Sequence, residues 1–218
     1  MVISWYGHSC FKIQTSGSSQ TAGQVTIITD PFAKEVGLVP PRLQADIVTI
    51  SHQHYDHNNT ASVGGEPMVL NTPGEFEVKG IFIKGISSFH DAQAGQERGT
   101  NIIFTFKTEE MTLCHLGDLG QEKLTAEQLE GLNGVDVLFV PVGGKYTLDA
   151  AAAALAVNQI EPKIVIPMHY KLKNLKIPLG SVDDFLKEVG AGEVVEKLVL
   201  KKKDLPAEEQ LKVVVFKI

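Results

Sequence analysis

Six consecutive residues, His52-Gln53-His54-Tyr55-Asp56-His57, constrain this chain more tightly than any other stretch. They come just after an apolar, β-branched run, Ile47-Val48-Thr49-Ile50, which reads as a buried strand. Neutral imidazole and carboxylate are the common protein ligands of zinc and similar divalent ions. In an extended chain, residues two apart point the same way. His52, His54 and Asp56 are therefore expected to converge on one side, with His57 turning inward where the chain bends. A single histidine here would read as part of a solvated loop; three imidazoles and a carboxylate at metal spacing do not. The fold has to bring a rigid strand end to a convergent polar site, the usual way in which binding residues are supported.

Further groups of the same kind follow in order: His90 in Ser87-Ser88-Phe89-His90, Asp118 in Leu116-Gly117-Asp118, and His169 in Pro167-Met168-His169-Tyr170. Together with the H-x-H-x-D-H run, this order resembles the metallo-β-lactamase superfamily from about Ser4 to Tyr170. Gly7-His8-Ser9-Cys10-Phe11 and Pro141-Val142-Gly143-Gly144 resemble its branch of small bacterial Zn-dependent hydrolases that includes L-ascorbate-6-phosphate lactonase. The resemblance implies that His52, His54 and His90 hold one divalent ion, that Asp56, His57 and His169 hold a second, and that Asp118 bridges them. It implies zinc, with manganese or iron as alternatives. Of the seven histidines in the sequence, only His8 and His115 fall outside these positions.

A length of 218 residues suits one domain over residues 1–218 with a large core, and 43% hydrophobic and 21% charged residues are ordinary for a globular protein. No apolar run approaches the roughly 20 residues that span a bilayer, and Met1-Val2-Ile3-Ser4-Trp5-Tyr6 lacks the basic start of a signal peptide. A cytoplasmic location is expected, with Cys10 and Cys114 as reduced, buried thiols in apolar strands. The net charge of −6 disfavours a nucleic-acid partner, whose phosphates reward cationic surfaces. Lys201-Lys202-Lys203, the only basic block, reads as a solvated strand end.

Strand patterns cover residues 2–6, 10–14, 25–29, 47–50, 68–70, 76–78, 80–86, 101–107 and 111–116 in the first half. The second half alternates helix and strand. Thr125 and Gln128 form a capping-box pattern for a helix ending near Gly131 or Gly134; Thr147 is the expected N-cap of a helix containing 150–154; Ser181 caps another ending at Gly190. Residues 135–140, 164–166, 194–200 and 211–218 read as strands. This pattern alone gives a mixed α/β chain. The resemblance implies a four-layer αββα sandwich of two mixed β-sheets, helices outside, with the metals at one edge.

Two ions that share a water lower its pKa to about 7 and polarise the substrate oxygen. The expected reaction is attack by metal-bound hydroxide on an ester, lactone or related bond of a small, anionic substrate, with Asp56 and Asp118 as the catalytic carboxylates. The proton donor is open among a second metal-bound water, His115 and Tyr146. His8, Asp30 and His115 are candidates for supporting the ligands, although the two histidines read equally as core residues and Asp30 as a turn carboxylate. Lys145 and Tyr146 lie in a Gly-rich turn before a helix, where backbone N–H groups can hold anions; an ordinary tight turn explains the glycines as well. Lys171, Lys173 and Lys176 form either a rim for an anionic substrate or a solvated loop. The alternative functions are a phosphodiesterase or nuclease, disfavoured by the acidity and by the lack of room for a large RNA-gripping domain, and a non-catalytic metal-binding protein, disfavoured because no ligand position is missing. No membrane partner is expected; the oligomeric state is open.

Overall fold

Period-2 alternation and continuous apolar runs divide the strands into two kinds. The computed structural model describes residues 1–17, 23–207 and 210–218. The strands are β1 (Val2–Trp5), β2 (Phe11–Ser16), β3 (Gln24–Thr29), β4 (Leu43–Gln44), β5 (Ile47–Thr49), β6 (Val63–Gly64), β7 (Met68–Leu70), β8 (Gly74–Val78), β9 (Ile81–Phe89), β10 (Thr100–Thr108), β11 (Met111–His115), β12 (Val137–Pro141), β13 (Ile164–Met168), β14 (Glu193–Val195), β15 (Leu198–Val199) and β16 (Lys212–Phe216). Three α-helices, α1 (Ala126–Gly131), α2 (Ala150–Ile160) and α3 (Val182–Val189), are interspersed in the second half.

One sheet has six strands in the order β15-β1-β2-β3-β5-β7, the other eight in the order β14-β16-β13-β12-β11-β10-β9-β8. Both are mixed. In the first, β15 to β3 run antiparallel and β3-β5-β7 parallel. In the second, β8 to β11 are antiparallel, whereas β11-β12-β13-β16-β14 are parallel. β12 and β13 are buried at every residue, as central parallel strands covered on both faces must be. The inner faces meet in one core, where Phe11 of the first sheet packs on Phe139 of the second with ring centroids 4.5 Å apart.

The three helices lie with the eight-stranded sheet: α1 packs on β9, α2 on β12, and α3 on α2. The two facing mixed sheets with few helices agree with the expected sandwich. A second, smaller core (Cys10, Ile28, Phe32, Val36, Ala45, Val48 and Ile50) fills the outer face of the six-stranded sheet. Leu43 of β4 and loops carrying Leu38, Leu175 and Ile177 cover it. Cys10 and Cys114 are buried and free, and burial raises both thiol pKa values.

Thr125 and Gln128 make the reciprocal capping bonds, Gln128 N–H to Thr125 Oγ1 at 3.2 Å and Thr125 N–H to Gln128 Oε1 at 2.8 Å. Thr147 does not cap α2. Asp149 does, its Oδ1 accepting from Ala152 N–H at 2.9 Å. Nor is residues 194–200 one strand: β14 joins the eight-stranded sheet and β15 the six-stranded one, so the chain changes sheets at Glu196-Lys197. No helix among the described residues is long and apolar enough to cross a membrane.

Candidate metal centre

Six strand exits meet at one edge of the sandwich. The six-stranded sheet contributes His8 in the β1–β2 turn, Asp30 after β3 and His52 to His57 after β5; the eight-stranded sheet contributes His90 after β9, Asp118 after β11 and His169 after β13. Backbone bonds tie the sheets together here, from Ile102 N–H to Ser51 O at 2.9 Å and from His169 N–H to His8 O at 3.1 Å. The run 52–57 is not extended, as pleat alternation had suggested. His57 N–H bonds His54 O at 3.0 Å, and a turn rather than a pleat brings the side chains together.

The ligand-type atoms form two clusters joined by a third group, His52, His57 and Asp118. Those of His52, His54 and His90 lie within 4.8 Å of one another, as do those of His8, Asp56, His57 and His169. Asp118 stands between the two. Its Oδ2 is 3.1 Å from His169 Nε2, 3.2 Å from His57 Nε2, 3.4 Å from His90 Nε2 and 3.9 Å from His52 Nε2. The seven residues expected as ligands thus share one site, and His8 joins them. All of these except His54 are buried.

Asp30 fixes the tautomers. One of its oxygens accepts from His57 Nδ1–H at 2.9 Å and from Ser51 Oγ–H at 2.6 Å, and the other from Ser51 N–H at 2.8 Å. With its proton committed to Asp30, Ser51 Oγ accepts from His52 Nδ1–H at 2.9 Å. One carboxylate therefore leaves the Nε2 lone pairs of His52 and His57, one in each cluster, free for a cation. Asn101 positions Asp118: its Oδ1 accepts from Asp118 N–H at 2.9 Å, while its Nδ2 donates to Leu116 O at 2.9 Å and to Ser88 Oγ at 2.8 Å.

Charge follows this geometry. Burial opposes ionisation of Asp118, but His169 and His57 outweigh it and hold the carboxyl well below its usual range. Burial likewise opposes charge on His57, yet Asp118 and Asp30 hold it well above the usual imidazole range. Burial keeps His52 and His90 below that range and, with His169, pushes His8 down to about 4. The buried Nε2 of His52 and Oδ1 of Asp118 have no hydrogen-bond partner. Buried polar atoms without partners are costly, and divalent cations held by these residues would satisfy both, so the donor set fits metal ions.

Among the described residues outside glycine, eleven have a positive φ; the three buried ones are His8 (54°), Asp30 (39°) and His169 (53°), all at this site. Side chains rarely adopt this conformation, and it concentrates where function requires it. Two glycines complete the packing. A Cβ at Gly120 would lie 2.4 Å from His90 O, and one at Gly143 would lie 2.1 Å from His169 O. Gly143 thus lets the chain pass against His169, and it does not start a helix; α2 begins seven residues later. Gly143→Ala is expected to displace His169, reducing affinity for one ion at least about 10-fold, with an overpacking penalty of about 1–3 kcal/mol. Chelator competition and thermal melting measure both.

His54, Tyr55, Asp56, His90, Arg98, Asp118, Tyr146, His169, Lys176, Ile177 and Pro178 line a cleft of about 350 Å³ above the centre. A larger surface groove of about 830 Å³ around Val39 and Arg42 has no ligand-type cluster and lies apart from it. Lys171 and Lys173 are exposed and do not line the cleft, whereas Lys176 does. Lys145 lies just outside, its Nζ 5.6 Å from the Tyr146 ring centroid. His115 does not reach the cleft. Its Nε2–H donates to Ser9 O at 3.0 Å and its Nδ1 accepts from Gly117 N–H at 3.2 Å, which supports the turn leading to Asp118.

Sequence reasoning missed Ser51, Asn101 and Arg98. A buried Asn inside the apolar strand β10 was the available signal for Asn101. Arg98, one of two arginines in the sequence, sits on a loop organised by Asp91, whose carboxylate accepts the N–H groups of Gln93, Gly95, Glu97 and Arg98 at 2.8–3.1 Å. The Arg98 guanidinium lies 5.0 Å from the Tyr146 ring centroid, within cation–π range.

Residues 2–169 match the β-lactamase superfamily domain. A UPF0173 metal-dependent hydrolase of Bacillus mycoides is 30% identical over 207 residues, covering 78% of this chain and 85% of that one. A homologue of the same description from Thermoplasma acidophilum is 29% identical over 203 residues, covering 79% and 84%. A Thermotoga maritima crystal structure, named for the Zn-dependent hydrolases of the metallo-β-lactamase superfamily, superposes with a TM-score of 0.79 at 41% identity, covering 99% of this chain and 97% of its own. A chain with this match, this pair of mixed sheets and this convergence of histidines and aspartates belongs to the metallo-β-lactamase superfamily, among its metal-dependent hydrolases.

Proposed function

We propose that the protein is a binuclear hydrolase, with zinc as the preferred ion, that opens an ester, lactone or related bond in a small substrate bearing an anionic group. The observation that carries this reading is the position of Asp118 Oδ2 between two donor clusters, on the floor of a cleft whose walls carry Arg98 and Lys176. Two divalent ions, when bound, supply an activated water and an electrophile for the substrate oxygen. Asp118 joins the clusters and balances their charge. Asp56, at the cleft floor, orients the attacking water. Tyr146 lines the cleft, whereas both ring nitrogens of His115 are already engaged, which favours Tyr146 over His115 as the proton donor to a leaving group. About 350 Å³ suits a small molecule.

Arg98 and Lys176 line the cleft where the anionic group would sit, and a cation in a cleft wall contributes mostly uniform binding. Arg98→Ala is therefore expected to raise KM for a carboxylated or phosphorylated ester about 10-fold or more, with kcat and metal content near parent values. A neutral ester of equal size should be nearly indifferent. The defining experiment is a hydrolysis panel of the metal-loaded protein across lactones, carboxylated and neutral esters, phosphodiesters and single-stranded RNA. Turnover of RNA alone would replace this reading with a nuclease, and equal KM losses for neutral and anionic esters would remove the anion site.

A further inference from the structure

Two fully buried histidines lie near the centre outside the seven ligand positions of the family pattern, and they differ in one respect. His115 uses both ring nitrogens on backbone groups of the fold, Ser9 O and Gly117 N–H. That is how a structural buried histidine satisfies itself. The ring of His8 contacts no such group: its Nδ1 has no partner. Its Nε2 lies 3.0 Å from Asp56 Oδ2 and 3.1 Å from His57 Nε2, both atoms of the second cluster.

The chain is held in a strained conformation to place the ring there. His8 has φ 54° after Gly7 at φ 105°, in a turn closed by Cys10 N–H to Gly7 O at 2.9 Å. Its carbonyl is pinned by Trp5 Nε1–H at 3.0 Å and by His169 N–H at 3.1 Å, and its ring is tilted against that of His169 with centroids 4.2 Å apart. Because His57 Nδ1–H is committed to Asp30, Nε2 is the ring atom left to bind a cation, and it faces His8 Nε2. Two ring nitrogens this close share a proton or face a common cation.

We infer that His8 Nε2 is a direct ligand of the ion held by Asp56, His57 and His169, so that this site has one imidazole more than the family pattern assigns. The inference rests on the two-ion reading above. Its consequence is an unequal pair: three imidazoles, Asp56 and a share of Asp118 on one side, against His52, His54, His90 and a share of Asp118 on the other. The His8 side keeps its ion longer against a chelator.

The test compares the parent with His8→Phe and His8→Gln in chelator competition with zinc and in the visible spectrum of the cobalt-loaded proteins. Gln retains an N–H able to reach Asp56 but is a poor metal ligand. Both variants are expected to lose the second ion at least about 100-fold more readily, beyond the 10–100-fold typical of a residue that only orients a ligand. Both should also lose one set of cobalt bands while the other persists. Parent-like retention in His8→Gln would mean that His8 merely orients Asp56, and it overturns the inference. A second measurement needs no variant. In 15N-histidine protein loaded with 113Cd, the His8 Nε2 resonance is expected to show cadmium coupling, as those of His57 and His169 do. Coupling at those two without coupling at His8 overturns the ligand role alone. A parent that binds only one ion overturns the two-ion reading, and His8 with it.

Discussion

Asp118→Ala is expected to strip the protein of bound metal and to lower kcat/KM by well over about 100-fold, since even residues that only orient ligands are worth 10–100-fold. Oδ2 of Asp118 lies 3.1–3.4 Å from three imidazole nitrogens drawn from both clusters. Removing it leaves those imidazoles facing a buried hole, with Asp56 as the one carboxylate left among the proposed ligands to balance two divalent charges. Asp118→Asn, which keeps the shape, should retain one ion weakly. Cys114→Ser and Lys203→Ala, in the core and on the surface, should leave metal content unchanged. Elemental analysis and kinetics on the four variants decide the matter. An Asp118→Ala protein with two ions and full activity would mean that a different acid bridges the site.

Metal removal should have the largest effect on stability. Each proposed ion takes donors from both sheets: His52 and His54 face His90, and His8, Asp56 and His57 face His169. Ions bound to the folded state alone, at about 1,000 times Kd, contribute about 4.1 kcal/mol each. For a chain of this size, about 8 kcal/mol corresponds to a fall in melting temperature of roughly 15–30 °C. Calorimetry in zinc and after exhaustive chelation measures it, and the difference should grow with metal concentration. A change under about 5 °C would show that the sheets hold the site without help.

The ligands were legible because their chemistry is rare at that spacing: His52, His54, Asp56 and His57 announce themselves in six residues, and His90, Asp118 and His169 follow strands whose apolar runs mark them. What supports the ligands was less legible. Ser51 relays Asp30 to His52 across a 21-residue separation, and Asn101 reaches Asp118 across 17. Serine and asparagine are common, and only the folded chain brings them to the site. The strand change at Glu196-Lys197 escaped for a different reason. β14 has three residues and β15 two, too few for periodicity to reveal which sheet each joins. Thr147 lost the cap to Asp149 because the chain from Gly144 to Leu148 is occupied in a turn, with Leu148 N–H bonded to Leu119 O at 3.0 Å.

The small outer core has an evolutionary consequence. Lys176, Ile177 and Pro178 form one wall of the cleft. Their loop is moored through Leu175 and Ile177 to the cluster around Phe32 and Val36, and Lys176 N–H donates to Val36 O at 2.8 Å. The metal-bearing strand ends that carry Asp118 and His169 rest instead in the main core, beside Leu116, Leu119, Met168 and Tyr170. Selection can therefore redraw that wall, residue by residue or by changing the length of the loop, while the reactive floor drifts little. A lineage built on this plan can pass from one substrate to another through intermediates that never lose their metals.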